Sequence, residues 1–331
     1  MVGVDPRSSV LIAGCGSIGR RHARILRGMG LDDIRVCDPL AAQVEALTRE
    51  TPVRVDPSFE AGLASQPDAV WVCTPPKMHI PMAIQALAAG AHVFCEKPLA
   101  DSSRDIDDLI AVSTKTRRQV MTGLCFRYHH GLLKAKGLLA SGKFGRLVGI
   151  RCLMGEHFPT VRPDYRTLFT SQYSGAFDLT HEVDLAVWLA GRPVKRVRCV
   201  AGTCSDVEMA APDLVEMAIE FEGRCLASIH LDFFQKPRRR QTELLCTDGV
   251  IMVEFARWDH CTLSTAGAEG IWSHEEMKTD RDDMFRAEDG AFLAAVATGG
   301  AVECGIAEAQ KSVEIIERAM ADAGMAVEPM G

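Results

Sequence analysis

Three short segments of this chain hold residue types that can bind a charged cofactor or move a proton. The first is Gly14-Cys15-Gly16-Ser17-Ile18-Gly19. Gly14 permits a tight turn, Gly16 lets backbone approach a pyrophosphate, and Gly19 lets a helix pack closely on a strand. A helix opening at Ser17 and Ile18 would present free N–H groups and a positive dipole end to phosphates. Asp38 stands 19 residues after Gly19. A carboxylate there accepts hydrogen bonds from an adenosine ribose and repels a 2′-phosphate. Pro39-Leu40-Ala41 supplies no Arg or Lys for such a phosphate, so NAD is preferred to NADP. The second segment is Cys95-Glu96-Lys97-Pro98-Leu99. A lysine there can donate a hydrogen bond to a substrate oxygen, and its pKa can fall with burial. The third is Gly175-Ala176-Phe177-Asp178-Leu179-Thr180-His181-Glu182-Val183-Asp184. Asp178, His181, Asp184 and Trp188 recur at three or four residues and so share one broad helix face. Histidine, with a reference pKa near about 6.5, suits a base at neutral pH.

The surrounding pattern shows what must position these groups. Apolar runs at Val10–Ala13, Ile34–Cys37, Ala69–Cys73, His92–Cys95 and Gln119–Thr122 read as buried strands. Between them, Ile18–Met29, Ala41–Glu50, Ile80–Ala89 and Asp105–Thr116 read as helices. Such alternation implies βαβ units on a parallel sheet, with ligands bound beyond the carboxyl ends of its strands. The pattern changes after Gly123. A helix over Gly131–Ala140 leads through a turn at Ser141–Gly145 to a strand, Leu147–Met154. A loop follows at Glu156–Ser174, long enough to suggest a binding or lid role. Next come a helix over Asp178–Ala190 and five strand-like runs: Val194–Val200, Leu214–Phe221, Cys225–Phe233, Thr242–Cys246 and Val250–Phe255. Helices over Asp282–Ala297 and Ile306–Ala323 close the chain. The fold class is therefore α/β: an N-terminal parallel-sheet domain over residues 1–124, then an α+β domain with a mostly antiparallel open sheet over residues 125–331.

Taken together, the glycine segment, the Glu-Lys-Pro tripeptide, Cys73-Thr74-Pro75-Pro76-Lys77-Met78-His79 and the Asp178–Asp184 segment resemble the Gfo/Idh/MocA family of dehydrogenases. The resemblance extends to Phe285–Phe292. It implies a Rossmann domain and a second α/β domain whose open sheet often mediates dimers or tetramers, so a homodimer or homotetramer is expected. It further implies reversible hydride transfer between nicotinamide and a carbinol carbon of a sugar, amino sugar or cyclitol. The catalytic lysine would be Lys97, with His181 and Asp178 completing the site. The chemistry is coherent, because the hydroxyl proton must leave as the hydride does. In many family members the aspartate stands four residues before the histidine; here the interval is three. Asp178 is thus either catalytic or a helix N-cap. A hydrolase using tightly held NAD, a non-catalytic NAD sensor and a non-sugar substrate remain the rival readings.

Other residues carry weaker signals. Thr74 and Pro75 are expected to line the nicotinamide side, with His79 structural or near the cofactor. Glu96 would orient Lys97 or touch the nicotinamide ribose. Arg127 and His129 are candidates for substrate contact or for packing alone. Asp184 is a candidate for substrate contact or for orienting His181. In the long loop, Tyr165 and Arg166 either close over substrate or are plain surface. The run Lys236-Pro237-Arg238-Arg239-Arg240 reads as a solvated face or as a partner for an acidic substrate group. Adjacent His129 and His130 lack a Glu or Cys at ligand spacing, so no metal is expected.

Bulk properties narrow the class. The chain has 331 residues, 47% hydrophobic and 24% charged, with net charge −7. That length suits two domains, and the negative charge argues against nucleic acid or an anionic membrane as partner. No signal peptide or membrane-spanning run is read. The 12 cysteines are scattered, without a CxxC pair. Such usage fits a reducing, cytoplasmic setting.

Overall fold

The computed structural model describes residues 8–168 and 175–325. It divides into two compact units: residues 1–125 with 282–313, and residues 126–281 with 314–331.

The first unit is built on six strands: β1 (Ser9–Ala13), β2 (Asp33–Cys37), β3 (Arg54–Val55), β4 (Ala69–Val72), β5 (His92–Glu96) and β6 (Val120–Gly123). All pair in parallel, in the order β3-β2-β1-β4-β5-β6. Val10 to Ala13 and Ala69 to Val72 are buried at every position. Strands covered on both faces read as unbroken apolar runs for that reason. The intervening helices are α1 (Ser17–Gly28), α2 (Ala41–Glu50), α3 (Phe59–Ala64), α4 (His79–Ala88) and α5 (Ile106–Thr116). The order reverses direction between β1 and β4, and the crevice at such a point is where doubly wound sheets take ligands.

The second unit opens with α6 (His130–Ala140) and β7 (Leu147–Gly155). Two single-turn helices follow, α7 (Phe158–Val161) and α8 (Tyr165–Leu168). The span expected to be a loop at 156–174 therefore contains helix, and residues 169–174 lie outside the described residues. Then come a 3-10 turn at Gly175–Asp178, α9 (Thr180–Ala190), and strands β8 (Val194–Gly202), β9 (Leu214–Phe221), β10 (Cys225–Asp232), β11 (Arg239–Cys246), β12 (Gly249–Glu254), β13 (His260–Gly267) and β14 (Trp272–Lys278). They form one eight-stranded sheet, β14-β13-β12-β11-β7-β10-β9-β8, antiparallel except where β7 pairs with β10. Burial alternates along β9 and β10, so one face is covered and the other open. The sequence pattern did not announce β13 and β14. β14 is exposed almost throughout and carries His274, Glu275, Glu276 and Lys278, a charged edge of the kind that discourages further strand pairing.

Two last helices are α10 (Arg281–Thr298) and α11 (Ile306–Asp322). Residues 282–313, expected from the sequence within the second domain, pack with the first unit. The cause is visible on α10. Phe292 is fully buried against Trp71 and Phe94, and Asp289 accepts a 3.0 Å hydrogen bond from Trp71 Nε1.

Candidate functional site

The glycine turn leaves β1 and enters α1. Its backbone is tied to the sheet by Gly14 N–H donating to the Cys37 carbonyl at 2.9 Å. Gly14 has φ +97°, and a Cβ there would lie 2.5 Å from the Cys73 carbonyl oxygen. A Cβ on Gly19 would overlap the Gly14 carbonyl. These two glycines serve the fold itself. Gly16 differs, because a Cβ there would meet nothing within 4 Å. Its missing side chain leaves a cradle beside the start of α1, where no side chain caps the helix. Ser17 is exposed and Ile18 half-buried at that opening. The residues present therefore fit a pyrophosphate. Asp38 stands just past β2. Its Oδ2 accepts from Cys15 N–H at 2.7 Å and its Oδ1 from Leu40 N–H at 2.8 Å. An ionised carboxylate has further lone pairs for ribose hydroxyls. The Cys15 thiol is held neutral, its pKa pushed up to about 12 by burial and then by Asp38.

Lys97 follows β5, on the same carboxyl edge of the sheet as the glycine turn, and is half-buried. Glu96, which ends β5, is nearly buried and accepts from the Lys97 backbone N–H at 3.2 Å. His79 is buried, with Nδ1 2.7 Å from the Pro98 carbonyl oxygen and Nε2 2.8 Å from that of Thr74. It joins the loop after β4 to the loop after β5, which is a structural task. Thr74 Oγ1 contacts Met82 Sδ at 3.6 Å, and Pro75 is exposed.

In the second unit, His181 lies in the first turn of α9 and is half-exposed. Its ring meets Phe126 edge-on at 4.8 Å. Asp178 ends the 3-10 turn, and the residue capping α9 is Leu179. The helix thus begins two residues later than the sequence pattern indicated, and Asp178 is not its N-cap. Arg127, read as a substrate contact or as packing, and Asp184, read as a substrate contact or as orienting His181, form a buried two-pronged ion pair. Arg127 Nε reaches Asp184 Oδ2 at 2.9 Å and a terminal nitrogen reaches Oδ1 at 2.6 Å. That geometry supports a packing role for both. Tyr165 is buried, while Arg166 is exposed, pairs with Glu208 and lies over the Tyr165 ring at 5.4 Å.

Several groups beside these were not singled out from the sequence. Glu182, next to His181, is buried and accepts from Arg240 Nε at 2.6 Å. Burial pushes its carboxyl pKa up, against the pull of Arg240. Arg240 also lies 3.6 Å over the Phe126 ring. The basic run is thus neither wholly solvated nor wholly open to an acidic ligand: Arg240 turns inward, Arg238 pairs with Glu156 at 3.1 Å, and Arg239 is exposed. In the first unit, His22 of α1 is fully buried between Glu96 and Asp289. The only sequence signal for His22 was a polar residue on the apolar face of α1.

No helix among the described residues is long and apolar enough to cross a membrane. Residues 8–124 match the model of the oxidoreductase family with an NAD-binding Rossmann fold. Residues 132–252 match the GFO/IDH/MocA C-terminal domain. The chain is similar to inositol 2-dehydrogenase of Salmonella paratyphi B, 29% identical over 56% of each chain. It therefore spans little more than half the length of that relative. It is also similar to inositol 2-dehydrogenase 1 of Saccharopolyspora erythraea, 28% identical over 89% of this chain and 87% of that one. Among solved structures, GenD2 from gentamicin A biosynthesis in complex with NAD superposes with a TM-score of 0.83, at 23% identity over 97% of this chain and 95% of that one; this shows the fold. With residues 8–124 and 132–252 both matched by models of one family, the chain belongs to the Gfo/Idh/MocA oxidoreductases, the first segment being the NAD-binding Rossmann domain.

Proposed function

We propose that the protein is an NAD-dependent dehydrogenase acting on a secondary alcohol or ketone of a sugar, amino sugar or cyclitol. The observation that carries this reading is the carboxyl edge of the first sheet. There the open cradle at Gly16, the carboxylate of Asp38 and the amine of Lys97 follow β1, β2 and β5. The curated relatives are named inositol 2-dehydrogenases, which supports a polyol substrate.

Gly16 and the first N–H groups of α1 would hold the pyrophosphate, and Asp38 the adenosine ribose. Bound NAD supplies the hydride acceptor. Lys97 donates a hydrogen bond to the substrate oxygen, which stabilises negative charge as the proton leaves. His181 takes that proton in oxidation and returns it in reduction. Asp178 completes the group as a contact to substrate or to His181. The assembly proposed is a homodimer or homotetramer through the open face of the second sheet, where Val200 and Leu226 are exposed.

Fluorescence titration with NADH and NADPH tests the cofactor half, and an absorbance screen of sugars and cyclitols with NAD tests the chemistry. NADH is expected to bind at least about tenfold more tightly, a difference of about 1.4 kcal/mol. Lys97→Ala should keep NADH binding and lose turnover by roughly 10²–10⁴-fold. Failure to bind either nucleotide, or undiminished turnover in Lys97→Ala, would remove this reading.

A further inference from the structure

Behind Lys97 lies a buried group of ionisable side chains drawn from α1, β5 and α10. His22 Nδ1 lies 2.9 Å from Asp289 Oδ1 and 3.0 Å from Oδ2. Its Nε2 lies 3.0 Å from Glu96 Oε1. The other Glu96 oxygen accepts the Lys97 backbone N–H. His22 and Asp289 are wholly buried. Ionised carboxylates only accept, so the ring satisfies both neighbours by donating from both nitrogens. The Phe94 and Phe285 rings close around it at 5.1 and 5.7 Å. On the far side of Glu96, Gly123 of β6 makes room: a Cβ there would lie 2.9 Å from Glu96 Oε1 and 3.2 Å from its Cδ. Buried charges of this kind are costly compared with well-packed apolar side chains. Asp289 is anchored on its other side by the Trp71 indole N–H, and the Glu96 end of the group leads to the backbone of Lys97.

We propose that His22 is a positioning residue: held as an imidazolium between Asp289 and Glu96, it fixes the Glu96 carboxylate and through it the turn that carries Lys97. The helix that opens at the glycine cradle is thereby tied to the lysine. This rests on the reading of Lys97 as the group that contacts the reacting oxygen. The ionisable groups facing the ring are Glu96 on β5 and Glu288 and Asp289 on α10. Burial opposes the charged ring, but Asp289 and then Glu96 outweigh it, so the pKa of His22 stands well above the ordinary value. Glu288 is shifted upward too, by burial and then by Glu96. His22, Glu96 and Glu288 also offer ligand atoms within 4.8 Å of one another, a set that a metal could use only with a neutral imidazole.

Two measurements test the proposal on the full chain. Histidine ¹⁵N NMR of the wild-type protein should show, beside His230 with its pKa raised to about 9 by Asp232 and Glu216, a second ring charged throughout about pH 6 to 8, and that second signal should be missing from His22→Gln. The same charged rings in wild type and His22→Gln at the upper end of that range, or zinc found at one equivalent after purification, would overturn it. In kinetics with the best polyol from the screen, His22→Leu should lower kcat on the order of 10²-fold. KM and the NADH Kd should stay within about twofold, a difference under about 0.5 kcal/mol. His22→Gln, which keeps a donor toward Glu96, should recover part of the loss. If NADH binding falls as far as kcat, the role is structural and the proposal fails. Loss of turnover in Lys97→Ala with wild-type turnover in His22→Leu would overturn the role of His22 alone. Undiminished turnover in Lys97→Ala would overturn the reading of Lys97 beneath it. Should His22→Leu not fold, the NMR comparison of wild type with His22→Gln still decides whether the imidazolium exists.

Discussion

Two buried histidines, one in each unit, are driven in opposite directions. In the first unit, His22 is flanked by carboxylates and held charged. In the second, His129 sits between the Phe126 and Phe255 rings, and its pKa is lowered to about 4 by burial, then by Arg240 and His130. The remaining buried charge follows the same division. The first unit gathers Glu96, Glu288 and Asp289 around one imidazole, whereas the second sets two of its buried carboxylates against guanidinium groups, Asp184 with Arg127 and Glu182 with Arg240; its buried Asp232 meets His230, and its buried Asp213 accepts from Cys204 and Ser205. A guanidinium keeps its charge at any working pH; an imidazole does not. The two arginine pairs of the second unit are therefore fixed in state, whereas the network around His22 in the first has a charge that depends on protons.

The largest test of that contrast is to break a fixed pair. Arg127→Leu removes the guanidinium that pairs with the buried Asp184 carboxylate, which should cost about 3–5 kcal/mol of stability. Replacing both residues by leucine should recover much of that loss, since apolar side chains of similar volume are often neutral in such places. Urea unfolding of the two single variants and the double gives the coupling directly. A single-variant loss below about 1 kcal/mol would show that water reaches this pair and that it is not fixed in the sense argued.

How much of this was legible before the fold was known follows from distance along the chain. The glycine turn and Glu96-Lys97-Pro98 are local, each with a strand beside it, so their positions at the sheet edge follow from hydrophobic runs alone. The His22–Asp289 pair spans 267 positions, and no local pattern joins a histidine in α1 to an aspartate in α10. The placement of α10 with the first unit was hidden for the same reason. Arg240 was readable in principle. Extending its strand back from Thr242 to Arg239 would have set Arg240 and Thr242 on one face, and both are buried. β14 was missed because its two apolar residues, Trp272 and Met277, fall on opposite faces among polar ones, so no alternation marks it. Asp178 looked like a cap because a polar residue preceded an apolar run; an intervening 3-10 turn moved the helix start to Thr180.

A second test uses acid. His129 has a folded pKa of about 4 against a reference of 6.5. A depressed value means that its stabilising contribution is present above the reference value and is lost as pH falls through the window down to about 4. Between pH 7 and pH 5 the loss should be about 2 kcal/mol, at 1.36 kcal/mol per unit. His129→Phe keeps an aromatic ring between Phe126 and Phe255 but cannot titrate, so its urea midpoint should hold over that interval while the wild-type midpoint falls. Equal slopes in the two proteins would place the acid sensitivity elsewhere.

The smallest effect belongs to the first unit and runs the other way. Glu288 is fully buried, and its carboxyl is raised well above the ordinary value by burial and by Glu96. A raised pKa gives stability that is complete below the unfolded value of 4.5 and is lost as pH rises toward the folded one. Glu288→Gln matches the neutral side chain in shape and cannot ionise. Near pH 5 it should differ from the wild type by less than about 1.5 kcal/mol, as volume-conserving core exchanges do. As pH rises toward 9 the variant should gain on the wild type, because only the wild type must hold a proton that the unfolded chain has released. A constant difference across that range would mean that Glu288 ionises in place, and the acid-rich network of the first unit would then need a second cation beside His22.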